Sequence, residues 1–459
     1  MRSKYRVRLK RVVLTSTVTA ACLLASDLVG AQTLEVVPAR VLLDESAVIR
    51  ANGLQPKETV VIQATLTDGA GQSWSSQAKF VADSQGSIDL SKQGPVDGSY
   101  KEVSAMGLIW SMRPAEKNVN IYRPPENLGR QIIQFQLLRG GAQVAAAQLE
   151  QLHIAEGVRR IRVTSPVHGI LVVPNTGERR PGVLVVGGSE GGLPVLKAAW
   201  LASHGFAALA LAYFRYEDLP RNLEAIPLEY FGQALSWMMN RPEVLPDRIA
   251  VLGTSRGGEL ALQLGSMYPQ IQSVVAYVPA NVRYPACCGN TAVPYAWTWQ
   301  GRPLSFAPPR LVRDAGVLRE SAIKVEQTHG PILLISGQDD GVWQSSEMAD
   351  SVIARLKQAR FSYSFEHLKY AHAGHTAGRP EIIPEWHGPE RNPVSGREVD
   401  PGGTVAGNAQ SSLDAIPKVS SSFDRASRTD CPSPNQNPTA ENLNHAHAGG
   451  VLGYWPGVG

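Results

Sequence analysis

Ser255 stands in Gly253-Thr254-Ser255-Arg256-Gly257, directly after the apolar run 249–252 and before a run of helix-forming residues at 258–267. Small residues on either side of the serine let a strand turn into a helix tightly enough to present a hydroxyl above a sheet, the geometry of a nucleophile elbow. A serine hydroxyl is a weak nucleophile at neutral pH. It needs a base beside it, and a carboxylate to orient that base and stabilise its charged form. In the chain order that goes with such an elbow, the acid and then the histidine follow the serine. Gly337-Gln338-Asp339-Asp340 follows the apolar run 331–335, putting carboxylates at a strand's C-terminal end, where ligands of open α/β sheets bind. Asp340, three residues past the glycine, is taken as the acid, with Asp339 capping the turn or the next helix. The later histidines are His367, His372, His375, His387, His445 and His447. His375, in Ala373-Gly374-His375 just after the last expected strand, sits in a turn able to reach the serine and is taken as the base. His372 is expected to be an exposed loop imidazole, His367 falls in a strand pattern, and His445 and His447 lie in a polar tail.

Acyl transfer to the serine also needs N–H groups aimed at the developing oxyanion. One is expected from Arg256, the residue after the serine, and the other from the loop after an early strand, Gly187-Gly188-Ser189-Glu190-Gly191-Gly192, with Ser189 as the donor. The same loop lacks the GK[ST] ending of a phosphate cradle and the spacing of a dinucleotide fingerprint. Glu259, one turn beyond the elbow, could pair with Arg256, but the favoured reading is a cap in the positive field of a helix N-terminus. Trp297 and Trp299 are read equally as lining an acyl pocket or as core beneath a lid, within a Pro- and Trp-rich stretch (284–309) too long for a simple connection.

These residues require an α/β framework, and the pattern from about residue 160 onward supplies one. Apolar strands at 183–186, 207–212, 249–252, 274–278 and 332–335 alternate with helices at 196–204, 230–240, 258–267 and 346–357, ending in a strand at 361–367. Wholly apolar strands separated by helices imply a mostly parallel sheet covered on both faces. Residues 34–155 read differently, as short strands (34–38, 48–51, 59–66, 78–82, 119–122, 131–138, 145–154) separated by turns such as Asn52-Gly53 and Asp68-Gly69, which is a β-sandwich. Its apolar patch Met106-Gly107-Leu108-Ile109-Trp110-Ser111-Met112 is expected to meet the second domain. The expected organisation is an export signal at 1–31, a sandwich at 32–157, a catalytic domain at 158–424 and a disordered tail at 425–459.

The signal reading rests on a basic start, an apolar stretch over 12–25 and the small residues Val29-Gly30-Ala31. The apolar run is shorter than the ~20 residues a membrane span needs. Lipidation at Cys22 is a minor alternative. The 459 residues carry +4, but 1–31 hold six basic residues and one acid, leaving 38 basic against 39 acidic residues in the remainder. Such a balance gives no electrostatic footprint for nucleic acid. Beyond the signal, Cys287, Cys288 and Cys431 form neither a disulfide framework nor a zinc site; the adjacent pair reads as two small apolar fillers, with a strained bridge between neighbours in an oxidising compartment as the less favoured reading. No metal and no cofactor is expected.

The chain resembles the acyl-CoA thioesterase and bile acid-CoA:amino acid N-acyltransferase family from about residue 34 to about 423. In the first domain the resemblance is carried by Gly53-Leu54-Gln55-Pro56, Ser73-Trp74-Ser75-Ser76 and the patch running to Arg113-Pro114. In the second it is carried by the glycine loop, the Ser255 elbow with Gly257-Gly258-Glu259-Leu260, Gly337–Trp343 with Ser345, and Ala373-Gly374-His375. It implies an immunoglobulin-like sandwich followed by an α/β-hydrolase domain, and a triad at Ser255, Asp340 and His375. Within such a family a cysteine nucleophile goes with acyl transfer to amino acids and a serine with hydrolysis, so the resemblance implies that Ser255 serves a hydrolase. The expectation is a periplasmic or secreted serine hydrolase with a small-molecule acyl thioester or ester as its partner. Alternatives are an esterase or amidase of the dienelactone-hydrolase type, an N-acyltransferase, and a binding module with a degenerate hydrolase domain.

Overall fold

A computed structural model describes residues 31–116, 119–308, 314–385, 388–391, 396 and 398–427. The readings of the signal over residues 1–30, and of His387, Cys431, His445 and His447, fall outside the described residues.

In the first domain, strict alternation of apolar and polar residues gives strands with one buried face. Thr59–Thr67 and Ser73–Val81 bury every second residue and pair antiparallel from Thr59 opposite Val81 to Thr67 opposite Ser73. Arg130–Arg139 and Ala142–Leu152 form a hairpin over Gly140 and Gly141, both at positive φ. These strands belong to a seven-stranded sheet, and Thr33–Val37, Val48–Asn52 and Ile88–Asp89 make a three-stranded one. The two sheets share a core that includes Ile49, Ile62, Phe80 and Phe135. The strand expected at 119–122 does not form. Tyr122 instead turns its ring edge-on to Trp74 at 6.3 Å and donates its hydroxyl to Gln131, so the apolar alternation there serves a buried loop rather than a ladder.

The second domain is one eight-stranded sheet: β1 (Val158–Val163), β2 (His168–Pro174), β3 (Arg180–Val186), β4 (Ala207–Ala212), β5 (Val244–Thr254), β6 (Ile271–Tyr277), β7 (Ile332–Gly337) and β8 (Phe365–Tyr370). Their spatial order is β1-β2-β4-β3-β5-β6-β7-β8, parallel except for the antiparallel pairs β1/β2 and β2/β4. The period of two along a strand splits its side chains between the faces. Leu184, Val186, Val251 and Leu334 join the core under α2 (Glu229–Met239), α3 (Arg256–Met267) and α4 (Ser345–Gln358). Val183, Val185, Leu252 and Ile335 join the core under α1 (Val195–Ser203) and α5 (Val405–Ser427). Each such aliphatic side chain contributes roughly 1.5–3 kcal/mol on full burial. The last strand starts at Phe365 rather than 361. Helix α5 was not expected, and it carries the fold to Ser427, past the domain end set at 424.

The apolar patch of the sandwich is a single helical turn, Gly107–Trp110, and it meets the second domain as its composition suggests. Trp110 accepts an N–H from Glu385, Leu43 accepts one from Ile382, and Ile382, Ile383 and Ala409 complete the sandwich core. Across the same junction, Asp44 accepts hydrogen bonds from Trp200 Nε1 at 2.9 Å and His204 Nε2 at 2.8 Å.

Candidate active site

Ser255 links β5 to α3 with φ 58° and ψ −120°, a backbone conformation that a side chain adopts only at a cost of about 1–3 kcal/mol. The flanking glycines make the turn possible. A Cβ on Gly253 would lie 1.9 Å from the Gly257 carbonyl oxygen, and one on Gly257 would lie 2.3 Å from that of Gly187. The hydroxyl sits 2.9 Å from His375 Nε2. His375 Nδ1 lies 2.9 and 3.0 Å from the two carboxylate oxygens of Asp340, which is almost wholly buried. A carboxylate only accepts, so Nδ1 carries the proton and Nε2 is left to accept the proton of Ser255.

Asp340 is held from four sides. Its Oδ1 accepts the N–H groups of Val342 and Trp343 at 2.9 and 3.2 Å, and its Oδ2 accepts the Ser345 hydroxyl at 2.6 Å as well as facing the imidazole. Trp343 packs edge-on to the His375 ring at 5.8 Å and is anchored by its indole N–H to the Val278 carbonyl. Ser345 and Trp343 are functional neighbours to which the sequence pattern attached no role. Their signals are position, within five residues of the acid at the start of a helix, and a place in the stretch that carries the family resemblance.

The rival candidates lie elsewhere. Asp339 and His372 are both exposed and face each other at 3.5 Å, outside the buried row. His367 lies within β8, between Asp350 and the fully buried Ser336. That second hydroxyl–imidazole–carboxylate row runs across β7, β8 and α4, with Asp350 half-exposed at its outer end.

The glycine loop lies against the serine: a Cβ on Gly188 would be 3.3 Å from Ser255 Cβ. Within it the Gly188 N–H donates to Glu190 Oε1 at 3.1 Å. Among the described residues, neither the Ser189 nor the Arg256 N–H has an acceptor. The Arg256 N–H is also the first of α3, where the helix dipole favours negative charge.

The structure corrects two expectations, on Glu259 and on the cysteine pair, and decides the open one on Trp297. Glu259 does not cap the helix in solvent; it is fully buried, accepts Trp297 Nε1 at 2.7 Å and lies 3.2 Å from Arg256 Nε. Burial pushes its carboxyl up, and the Arg256 charge and the indole N–H pull it back. Arg256 in turn donates to the carbonyls of Tyr284 and Pro285, tying the long loop to the elbow. Trp297 is core, packed near Tyr213 and Phe231, while Trp299 is half-buried against Tyr268. Cys287 and Cys288 are not separate fillers but a disulfide between neighbours. Cys288 takes a φ of 77°, and with the chain so turned the two sulfurs meet. Glu259→Ala is expected to lower stability by about 3–5 kcal/mol, because a buried guanidinium loses its partner. Glu259→Gln, which keeps an oxygen for Trp297, is expected to cost less than half of that. Urea unfolding of the two variants checks the order.

Among the described residues, one group has metal-ligating atoms in mutual reach: His168, Glu217 and Asp218. The two ring nitrogens of His168 face different carboxylates, and Glu217 also takes the Arg162 guanidinium, so these groups already have protein partners. No helix among the described residues is long and apolar enough to cross a membrane.

The sheet order, the strained elbow at the end of β5, and the carboxylate and imidazole following β7 and β8 define the catalytic domain as an α/β-hydrolase. Residues 44–165 match the model of the acyl-CoA thioester hydrolase/BAAT N-terminal region, and residues 226–294 and 307–427 match that of the BAAT/acyl-CoA thioester hydrolase C terminal. Acyl-coenzyme A thioesterase 6 of Mus musculus is 31% identical over 418 residues, spanning 86% of this chain and 97% of that protein. Acyl-coenzyme A thioesterase 1 of Homo sapiens is 31% identical over 363 residues, spanning 75% and 85%. Bile acid-CoA:amino acid N-acyltransferase of Mus musculus is 33% identical over 368 residues, spanning 76% and 87%. The chain belongs to the acyl-CoA thioester hydrolase/BAAT family, and it is an enzyme of the thioester/ester hydrolase class.

Proposed function

We propose that this enzyme hydrolyses acyl thioesters through a serine-bound acyl intermediate. The observation that carries the reading is the unbroken row from Ser255 Oγ through His375 to Asp340. As Oγ attacks the thioester carbonyl, its proton passes to His375 Nε2, and the imidazolium is held by Asp340. The oxyanion takes the N–H groups of Arg256 and Ser189. The C–S bond then breaks, and the departing sulfur takes the proton from Nε2. Water next gives a proton to Nε2 and its oxygen to the acyl carbon. The second tetrahedral intermediate expels Ser255 Oγ, which recovers that proton. Relatives named as acyl-coenzyme A thioesterases support acyl-CoA as the thioester. The serine favours water over an amine acceptor, because an oxyester acyl-enzyme discriminates toward amines less than a thioester does.

A second reading has its own support. The Cys287–Cys288 disulfide suits an oxidising compartment, as does the basic, then apolar start of the chain. We therefore also propose export to the periplasm or exterior, where the substrate would be a carboxylic ester or amide with a hydrophobic acyl group. Both are tested by free-thiol release from long-chain acyl-CoA, beside cleavage of short and long p-nitrophenyl esters, with acyl-glycine formation followed in parallel. Thiol release from long chains is the expected result. Ester cleavage without thiol release would leave the serine chemistry intact and overturn the thioester substrate.

A further inference from the structure

The acid and the base reach Ser255 from two separate loops, after β7 and after β8, and a third segment joins them. The carbonyl of Pro401 accepts two N–H groups, from Gly341 at 3.1 Å and from His375 at 2.7 Å. One residue past the acid and the base itself therefore hang on a single oxygen. Around it, Asp339 N–H donates to Ala373, Gly403 N–H to Asp339, and Thr404 N–H to His372. Bridges link Asp340 to Gly402 and Ala373 to Gly403. The three backbones meet so closely that a Cβ on Gly374 would lie 2.2 Å from the Gly402 carbonyl oxygen, and one on Gly402 would lie 2.0 Å from that of Asp339.

One side chain closes this contact. Asn408 is buried in the first turn of α5, and its Oδ1 accepts the Gly374 N–H at 2.7 Å, while its Nδ2 points to the Gly402 carbonyl at 3.5 Å. Gly374 directly precedes His375. Helix α5 is itself seated against the sandwich, with Val405, Ala406, Leu413 and Ile416 packed on the core of that domain. Asn408 thus couples a helix fixed by interdomain packing to the backbone that aims the imidazole.

We propose that Asn408 and the Asp400–Gly403 segment form a clasp that sets His375 against Asp340, with Asn408 as a positioning residue. The inference rests on the reading of His375 as the base. Removing the Asn408 oxygen leaves the Gly374 N–H without an acceptor and frees the loop to drift, and a displacement of about 1 Å is enough to cost a reaction up to ~10²-fold.

The test is Asn408→Ala in the full chain, beside Ser411→Ala. Ser411 lies one turn along the same buried face and makes the same kind of bond, accepting the Gly378 N–H at 2.9 Å. Its hydroxyl also donates to the Asn408 carbonyl at 2.6 Å, so it reports the cost of losing such a bond on the same turn of α5 while the Asn408 side chain still accepts the Gly374 N–H. Asn408→Ala is expected to lower kcat ~10- to 100-fold with KM unchanged. Ser411→Ala is expected to keep the kcat of the parent. If Asn408→Ala does not accumulate as folded protein, Asn408→Ser, whose hydroxyl falls short of the Gly374 N–H, is read the same way. Parental kcat in the Asn408 variant, a loss carried by KM rather than kcat, or an equal loss in Ser411→Ala, would overturn the clasp. His375→Ala separates the two readings. If it abolishes turnover while Asn408→Ala does nothing, the clasp alone fails; if His375→Ala remains active, the base assignment fails.

Discussion

Ser255→Ala is expected to reduce turnover of every cleavable substrate by on the order of 10⁴–10⁶-fold while leaving the fold intact. The alanine retains Cβ, so the positive φ of the elbow and its packing between Gly253 and Gly257 are unchanged, and only Oγ is lost. The imidazole then has no hydroxyl to deprotonate, and residual rate comes from the N–H donors and from binding. Ser255→Gly sharpens the test. It loses activity equally but relieves a left-handed backbone strained in any residue with a side chain, so its stability is expected to rise by about 1 kcal/mol or more. Thiol release, labelling with a fluorophosphonate and thermal unfolding measure the three quantities. Activity surviving in Ser255→Ala would mean that some other nucleophile, or a directly activated water, does the chemistry.

The ease with which this site is read from sequence follows from how local its parts are. The elbow is legible because steric exclusion at Gly253 and Gly257 must be written within two residues of the serine. Asp340 is legible because it follows an apolar strand, and His375 because it follows the alternating last strand, the ends of both opening on the site. The features that escaped depend on distant partners. Glu259 looks like an ordinary first-turn acid, and nothing nearby in sequence tells that Trp297 and the loop at 284–285 will bury it. Asn408 sits in a stretch of Ala, Ser and Gly interrupted by Pro417, and the apolar period of α5 is carried by Ala409, Ala415, Val419 and Phe423, too sparse to stand out. Strand β1 was hidden for the opposite reason. Its exposed edge carries Arg159, Arg160 and Arg162, so it lacks the continuous apolar run of an interior strand. The adjacent cysteines say nothing by themselves about pairing, since a bridge between neighbours depends on the backbone turn taken at Cys288.

The acid supplies the other large effect. Asp340→Asn is expected to lower kcat by about 10⁴-fold at neutral pH, although the substitution is nearly isosteric. The direction follows from the donors around the side chain. Oδ1 receives two backbone N–H groups, from Val342 and Trp343, and these can only donate. An asparagine must therefore put its carbonyl there and its NH₂ at the Oδ2 position, between the Ser345 hydroxyl and His375 Nδ1. Ser345 can reverse its bond and accept one N–H. The other N–H points at Nδ1, which must then give up its proton and accept. The remaining proton moves to Nε2, facing Ser255, where a lone pair is required. The histidine stays in place but in the wrong tautomer, so ring position and substrate affinity are retained while the serine is no longer activated. Ser345→Ala supplies the contrast. It removes one bond to the carboxylate but leaves the acceptor character of Asp340 intact, so its loss is expected to be at least 100-fold smaller than that of Asp340→Asn. Fluorophosphonate labelling rates in the two variants measure the reactivity of Ser255 directly. Equal losses would mean that the carboxylate acts through placement of the loop rather than through the proton on Nδ1.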